Sequence, residues 1–286
     1  DHPNLKIKHL KITLLEHTDR LPDVKPAFTK NNVAVAVSCN EYYMPILGIM
    51  LHSLLENASP EYGYDILVLR NKPEFDTETT NRYIGMLKKM VGSYTNASIR
   101  FIDISGLLDG KTFFVRGNFT PETYFRLFLP QALGNYEKVL YLDADMVVCH
   151  DVAKLYNLDL GDALLGAVRD PIISGSNKSP LYNKHVDMEK LGIKNIYDYF
   201  QAGVLLINLK KIAEDGLCGR MIEYAATHDC DLVDQDVLNL FCQGKVKFID
   251  NKWNVDVNTI AMKVVPYAPA RMWKEYRKNR EEAYIY

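Results

Sequence analysis

The 286-residue sequence has no surplus of either charge: 34 lysines and arginines stand against 36 aspartates and glutamates, for a formal net charge of −2. Nucleic acid is therefore not an expected partner, because its recognition rests on a concentrated basic surface. No stretch approaches the roughly 18 uninterrupted apolar residues of a membrane span, and the opening residues lack the basic-then-apolar order of a secretory leader. Cys39, Cys149, Cys218, Cys230 and Cys242 are scattered, with no C-x-x-C pair. That usage fits a reducing compartment, and the cytoplasm is the expected location. No GxGxxG follows the first predicted strand, and neither GxxxxGK[ST] nor GxSxG occurs. A dinucleotide-binding turn, a P-loop and a nucleophile elbow are thus unsupported. Internal repeats and low-complexity tracts are missing too. What the chain has in quantity is apolar residues, 48%, enough at this length for one large core or two modest ones.

Residues 1–31, interrupted by Pro3, Pro22 and Pro26, read as a linker or appended element ahead of a domain over 32–286. From Asn32 the pattern becomes regular. VAVAVSC at 33–39, YDILVLR at 64–70 and SIRFIDI at 98–104 are predicted strands, separated by predicted helices over 43–56 and 76–91, the second capped by Asp76. Thr120 is predicted to cap a helix that starts at Pro121 and runs to Pro130. Buried strands follow at 163–170 and 202–209, and helices at 217–228 and 234–242, with Asp234 and Asp236 where a helix dipole favours negative charge. The polar segment 171–197 reads as a flexible lid or substrate loop. Strands alternating with helices predict an α/β fold, a Rossmann-like, mainly parallel central sheet flanked by helices.

The most informative stretch is KVLYLDADMV at 138–147. An apolar strand delivers two carboxylates to its end, and residues two apart on extended chain point the same way. Asp143 and Asp145 therefore share a face, with the small Ala144 between them leaving room for a ligand. Hard carboxylate oxygens suit manganese or magnesium, ions that commonly complete their shells with substrate phosphates. Taken alone, the pair also fits a turn or a helix cap. Ligands of α/β sheets bind at the carboxyl ends of the strands, where Ser38, Cys39, Asn40 and Asp170 also fall. Cys39 reads as buried packing material.

Four blocks in order, YLDADMVV, YFQAGVLLINLKK, DQDVLN and KFIDNKWN, resemble glycosyltransferase family 8, retaining enzymes of the GT-A fold that include bacterial lipopolysaccharide galactosyl- and glucosyltransferases. The resemblance runs from about Asn32 to the chain end. It implies a UDP-sugar donor, UDP-galactose or UDP-glucose, and a glycan or glycoconjugate acceptor. By the same resemblance, Asp143 and Asp145 hold manganese against the donor diphosphate, and Ala36, Val37, Asn40 and Tyr43 cradle uracil and ribose. Arg126 contacts the donor, Asp170 with Gln201, Ala202 and Gly203 surrounds the transferred sugar, and Asp234 and Gln235 lie near the anomeric carbon. Transfer in the family is assigned to a front-face, ion-pair-like route, so no nucleophile is assigned; a neutral amide such as that of Gln235 is in any case a poor one.

The chain departs from the family pattern in having Asn40 where an acid is frequent and Gln201 where Asn is usual. The Asn40 carbonyl can still take a hydrogen bond from the uracil edge. The family's H-x-x-G-x-x-K-P-W block, which implies a third metal ligand and a diphosphate-binding lysine, is not in the sequence, and the closing EEAYIY looks like the strand that enters it. The expectation is a chain that stops just before that histidine and binds metal and donor more weakly. His150 is predicted to stand away from the metal. In the C-terminal ARMWKEYRKNREE, Arg271, Lys274 and Lys278 share a helical face. They could meet the inner face of an anionic membrane, or form a solvated face with the aromatics packed inward. Two rival readings remain: DADMV also fits the aspartate motif of haloacid-dehalogenase-like phosphatases, and the domain could bind a nucleotide sugar with little catalysis.

Overall fold

The computed structural model describes residues 23–72, 77–117, 119–180 and 188–286. Strand β1 (Asn32–Ser38) displays the plan of the whole: Val33, Val35 and Val37 enter one apolar cluster, and Ala34 and Ala36 enter another. Successive side chains of a strand point to opposite faces. A strand apolar at every position must therefore be covered on both sides. The same split recurs in β2 (Gly63–Arg70), β4 (Lys138–Leu142) and β6 (Phe200–Asn208). One face is covered by the helices Met44–Glu56 and Glu78–Val91, through Leu47, Leu51, Leu54, Leu87 and Val91. The other is covered by Tyr124, Phe125 and Phe128 and by the helices Leu217–Thr227 and Val233–Cys242.

With β3 (Ala97–Asp103), β5 (Leu165–Arg169) and β7 (Val246–Phe248), the strands form a seven-stranded sheet in the order β3-β2-β1-β4-β6-β5-β7. Neighbours run parallel except where β6 meets β4 and β5. β6 alone is reversed, so its first residues lie at the same sheet edge as the last residues of β1, β4 and β5. That reversal brings the QAG of β6 to the exit of β4, where the Asp143 amide donates to the Gly203 carbonyl at 2.9 Å. The expected mainly parallel α/β sheet is what forms.

Residues just ahead of β1 pack on this sheet. Val24 joins the core, and the Ala27 amide donates to the fully buried Asp65, which also accepts from Arg100 and from the Tyr136 hydroxyl. Three local expectations are corrected. Residues 121–128 form a 3₁₀ helix, with the α-helical turn Leu129–Ala132 only after it, and Thr120 makes no side-chain cap. Pro130 has no N–H for the Arg126 carbonyl, so an α-helical ladder cannot close there and the turn tightens. The helix expected over 76–91 starts at Glu78, with Thr77 accepting from the Thr80 amide at 3.0 Å; Asp76 lies outside the described residues. The segment 171–197, read as a loop, opens with the helix Pro171–Ser176 and carries short helices at Met188–Leu191 and Ile196–Asp198, while 181–187 lie outside the described residues. β7 was not anticipated: three residues give too little alternation to read.

Candidate functional site

The edge where β1, β4 and β5 end and β6 begins is organised around Arg126, a guanidinium only 6% exposed. Its Nη2 donates to Asp143 Oδ1 at 2.8 Å, its Nε to the Thr123 carbonyl at 3.0 Å, and its Nη1 to the Ala202 carbonyl. Nε also lies 2.9 Å from Asp234 Oδ2, and the guanidinium stacks over Tyr141, 4.3 Å from the ring centre. Burial works against its charge, but Asp143 and Asp234 outweigh burial, and its pKa is raised. Arg126 thus ties the 121–128 turn to β4, β6 and the Val233–Cys242 helix.

Asp143 and Asp145 follow β4 with Ala144 buried between them. Asp145, at the exposed rim, has its pKa raised by loss of solvation and then by the charge of Asp143. A carboxylate held beside another without its own cation is a site for an added positive charge. The donor set is oxygen, which suits the hard manganese or magnesium ion that the sequence implied. Among the described residues no third histidine, cysteine or acid completes a cluster with them; the ring of His150 packs on Tyr284. A Cβ on Gly203 would lie 2.7 Å from Met146 Cε and 3.0 Å from Asp143 Oδ2, so glycine is what lets β6 pass behind the acidic pair.

The remaining predicted residues fall around this centre. Gln235, which alone would read as a solvated helix side chain, is engaged at both ends: Oε1 accepts from the Ala202 amide at 2.9 Å and Nε2 donates to Asp170 Oδ2 at 3.3 Å. Asp170 ends β5 and caps the Pro171–Ser176 helix through the Ile172 and Ile173 amides. Burial pushes its pKa up to about 6 against those amides, with Asp256 adding to the rise. Asp234 is likewise raised to about 6 by burial, opposed by Arg126 and the Thr123 hydroxyl. Asp236, by contrast, is held by the Tyr199 hydroxyl and the Leu232 amide and serves the fold. Ala36 and Val37 lie wholly in the two cores, so they offer a ligand the shape of the strand exit and no polar group. Asn40 accepts from the Tyr43 amide at 3.2 Å and, with Tyr43, forms the turn after β1. Burial, with the Glu122 charge, pushes the Cys39 thiol up to about 12, which leaves it an unreactive packing group.

Residues that the sequence reading missed are Glu122, Thr123, Tyr141 and Asn239. Asn239 bonds both the Phe200 amide and its carbonyl and so pins the first residue of β6. Glu122 Oε1 and Gln201 Oε1 are buried with no hydrogen-bond donor, whereas Asp234 Oδ2 has the charge of Arg126 beside it. Native proteins rarely leave such atoms unsatisfied, and here the two arise from separate segments, the 121–128 turn and the start of β6, at one end of the sheet.

The sequence profile of glycosyl transferase family 8 matches residues 34–281. Among curated relatives, a glycosyltransferase of Haemophilus influenzae is 30% identical over 77% of this chain and 62% of its own length. The lipopolysaccharide 1,2-glucosyltransferase of Escherichia coli is 34% identical over 46% of this chain and 37% of its own length, and the lipopolysaccharide 1,3-galactosyltransferase of Salmonella typhimurium 27% identical over 79% and 63%. The chain thus spans less than two thirds of each of these relatives. Of solved structures, the WbbM bifunctional glycosyltransferase superposes with a TM-score of 0.78 at 26% identity, over 92% of this chain and 46% of that one. The galactosyltransferase LgtC gives 0.58 at 23%, over 83% and 84%, and speaks to the fold.

Proposed function

The chain belongs to glycosyltransferase family 8, and from that premise we propose that it transfers a hexose from UDP-galactose or UDP-glucose to a glycan or glycoconjugate acceptor, with retention of configuration. The observation that carries this reading is the pair of buried, donorless acceptors Glu122 Oε1 and Gln201 Oε1 at the same end of the sheet as Asp143 and Asp145. Sugar hydroxyls and a base N–H are the donors such acceptors lack. A family relative that acts on lipopolysaccharide makes a lipopolysaccharide-type glycan one acceptor to test. Family membership also sets aside the phosphatase reading, and Asp143 is committed to Arg126 rather than free to attack phosphorus.

Asp143 and Asp145 would hold the divalent ion, which when bound neutralises the diphosphate leaving group. Arg126 fixes the Asp143 carboxylate so that it need not reorganise during transfer. Gln235 holds the Ala202 amide and Asp170 in one arrangement and so positions the sugar-binding edge. With both ends of its amide engaged, Gln235 is not a nucleophile, which supports a front-face route. Asp170 and Asp234 offer carboxylate oxygens to donor hydroxyls, and their burial keeps water from competing there.

The test is release of UDP from UDP-galactose and UDP-glucose with manganese, followed by the anomeric configuration of the glycoside product by NMR. Turnover with retention agrees with the proposal, inversion overturns the stereochemical part, and binding without any turnover leaves a nucleotide-sugar-binding module in its place.

A further inference from the structure

The segment that leaves the site after Asn254 carries a charge that the chain as a whole does not. Asn254 is buried beside Gly203, where an added Cβ would stand 3.5 Å from its Nδ2, and two residues further on the charge of Asp256 reaches Asp170. The chain then forms the helices Thr259–Val264 and Ala270–Asn279 around a small core that includes Val264, Val265, Met272 and Tyr276. The first helix is seated on the Pro171–Ser176 helix that Asp170 caps, since a Cβ on Gly175 would strike the Val264 carbonyl. The second is tied back by the Tyr276 hydroxyl, which donates to the Asp256 carbonyl at 2.7 Å. Residues 257–280 hold six basic side chains, Lys263, Arg271, Lys274, Arg277, Lys278 and Arg280, against one acid, Glu275, in a chain whose net charge is −2. Glu275 is taken up by Arg271, and Lys263, Lys274 and Lys278 are exposed with no ion pair among the described residues. The apolar side of the Ala270–Asn279 helix is committed inward: Met272 and Tyr276 are buried, Trp273 stacks on Tyr276, and Arg277 lies over Trp273. What this helix turns outward is cations, without the apolar face that seats a helix in a bilayer. Val257, Ile260 and Met262, which lie in sequence between Asp256 and these cations, are exposed as well and give the apolar faces of sugar rings a surface to lie on.

We propose that the surface formed by residues 257–280 holds the acceptor, and that this acceptor is a glycan bearing phosphate groups, which meet Lys263, Lys274 and Lys278 while the sugar that receives the hexose lies toward Asp256 and Asp170. The inference rests on the glycosyl-transfer reading above and names the acceptor class that reading left open. A patch of one charge raises the local concentration of an oppositely charged partner, and lysine ammonium groups bind phosphate as point charges that tolerate many geometries. Exposed pairs are individually weak, so three lysines together correspond to roughly tenfold in affinity, enough to choose between charged and uncharged forms of one glycan.

Calorimetry with lipopolysaccharide core oligosaccharide freed of its lipid, once with its phosphates and once after their removal, tests the assignment on the parent and on the triple variant Lys263→Gln, Lys274→Gln, Lys278→Gln. The parent is expected to bind the phosphorylated form about tenfold more tightly at about 0.1 M salt. That preference should vanish near 1 M, where the screening length falls from about 10 Å to about 3 Å. The triple variant, with an unchanged melting temperature because all three side chains are exposed, should bind both forms alike. Equal binding of the two forms by the parent, binding of neither, or an undiminished preference in the folded variant overturns the proposal. If the variant does not fold, a preference in the parent that survives 1 M salt overturns it just as well. Binding to phosphatidylglycerol vesicles that the phosphorylated oligosaccharide does not displace assigns the surface to a membrane instead and also overturns it. UDP release from the two UDP-sugars, measured alongside, separates the two readings: turnover without a charge preference sinks the acceptor assignment alone, and no turnover with either sugar sinks the transfer reading on which it rests.

Discussion

Arg126 and Asp170 are both buried, yet they should respond to substitution in opposite ways. Arg126 compensates Asp143 and Asp234, so Arg126→Ala leaves two carboxylates without their cation, and removal of one partner from such a pair typically costs about 3–5 kcal/mol. Chemical denaturation of the variant should show a loss of that order, and Arg126→Lys, which keeps the charge but cannot reach Asp143, Asp234 and Ala202 together, should recover only part of it. Asp170 is the reverse case. Its folded pKa, about 6, stands above its ordinary value of 3.8, so the native state holds the proton more tightly than the unfolded chain. The resulting stabilisation is complete below the unfolded value and is lost as pH rises through about 6. Asp170→Asn imitates the protonated form and keeps an oxygen for the Ile172 and Ile173 amides. Relative to the parent it should therefore gain roughly 1–3 kcal/mol between pH 4 and pH 7.5. Thermal melts across that range check the gain, and transfer activity should fall in the same variant because Gln235 would then meet an amide N–H.

At the scale of elements, two glycines separate packing from function. A Cβ on Gly175 would sit 2.1 Å from the Val264 backbone carbonyl, and neither backbone can yield locally. Gly175→Ala should lower the melting temperature sharply by parting the Pro171–Ser176 helix from the Val255–Tyr276 cluster. A Cβ on Gly203 would meet the flexible end of Met146 first and the Asp143 carboxylate next, so Gly203→Ala should remain folded while losing manganese affinity in a calorimetric titration. The two positions also mark what the sequence could disclose. Strands such as VAVAV were legible because burial on both faces leaves no polar position in them, and the position of DAD at a strand exit was legible because the apolar run KVLYL ends there. The reversal of β6 was not, since an apolar run such as VLLIN reads alike in either direction and its polarity is set by partners distant in sequence. Glu122 was hidden for another reason: an acid in the first turn of a predicted helix reads as a solvated charge favoured by the dipole, and only the packing of that turn against β1 buries it. Nor does a sequence disclose Val233, a β-branched residue at φ 45°, a strained conformation that sets the direction in which Asp234 and Gln235 leave the turn.

Over the whole molecule, the fold packs apolar cores on both faces of one sheet and leaves at one end the oxygens Glu122 Oε1 and Gln201 Oε1, which the protein does not satisfy. Stability and ligand affinity should then be separable within the acidic pair. Asp143 is tied to Arg126 and to the Gly203 carbonyl through its amide, whereas Asp145 sits at the rim with its pKa raised by burial and by Asp143. Asp143→Asn should lower the melting temperature of the ligand-free protein. Asp145→Asn removes a charge that its neighbour opposes, and should leave that temperature unchanged or higher at pH 7.5. In the parent, UDP and manganese together at about one hundred times the dissociation constant should add about 2.7 kcal/mol of stability by mass action. Both variants should lose most of that gain. The decisive measurement is the melting temperature of parent, Asp143→Asn and Asp145→Asn, each with and without UDP and manganese. An Asp145→Asn protein that is destabilised when free but still gains the full increment on binding would show that Asp145 serves the fold, and the metal would then have to be held elsewhere.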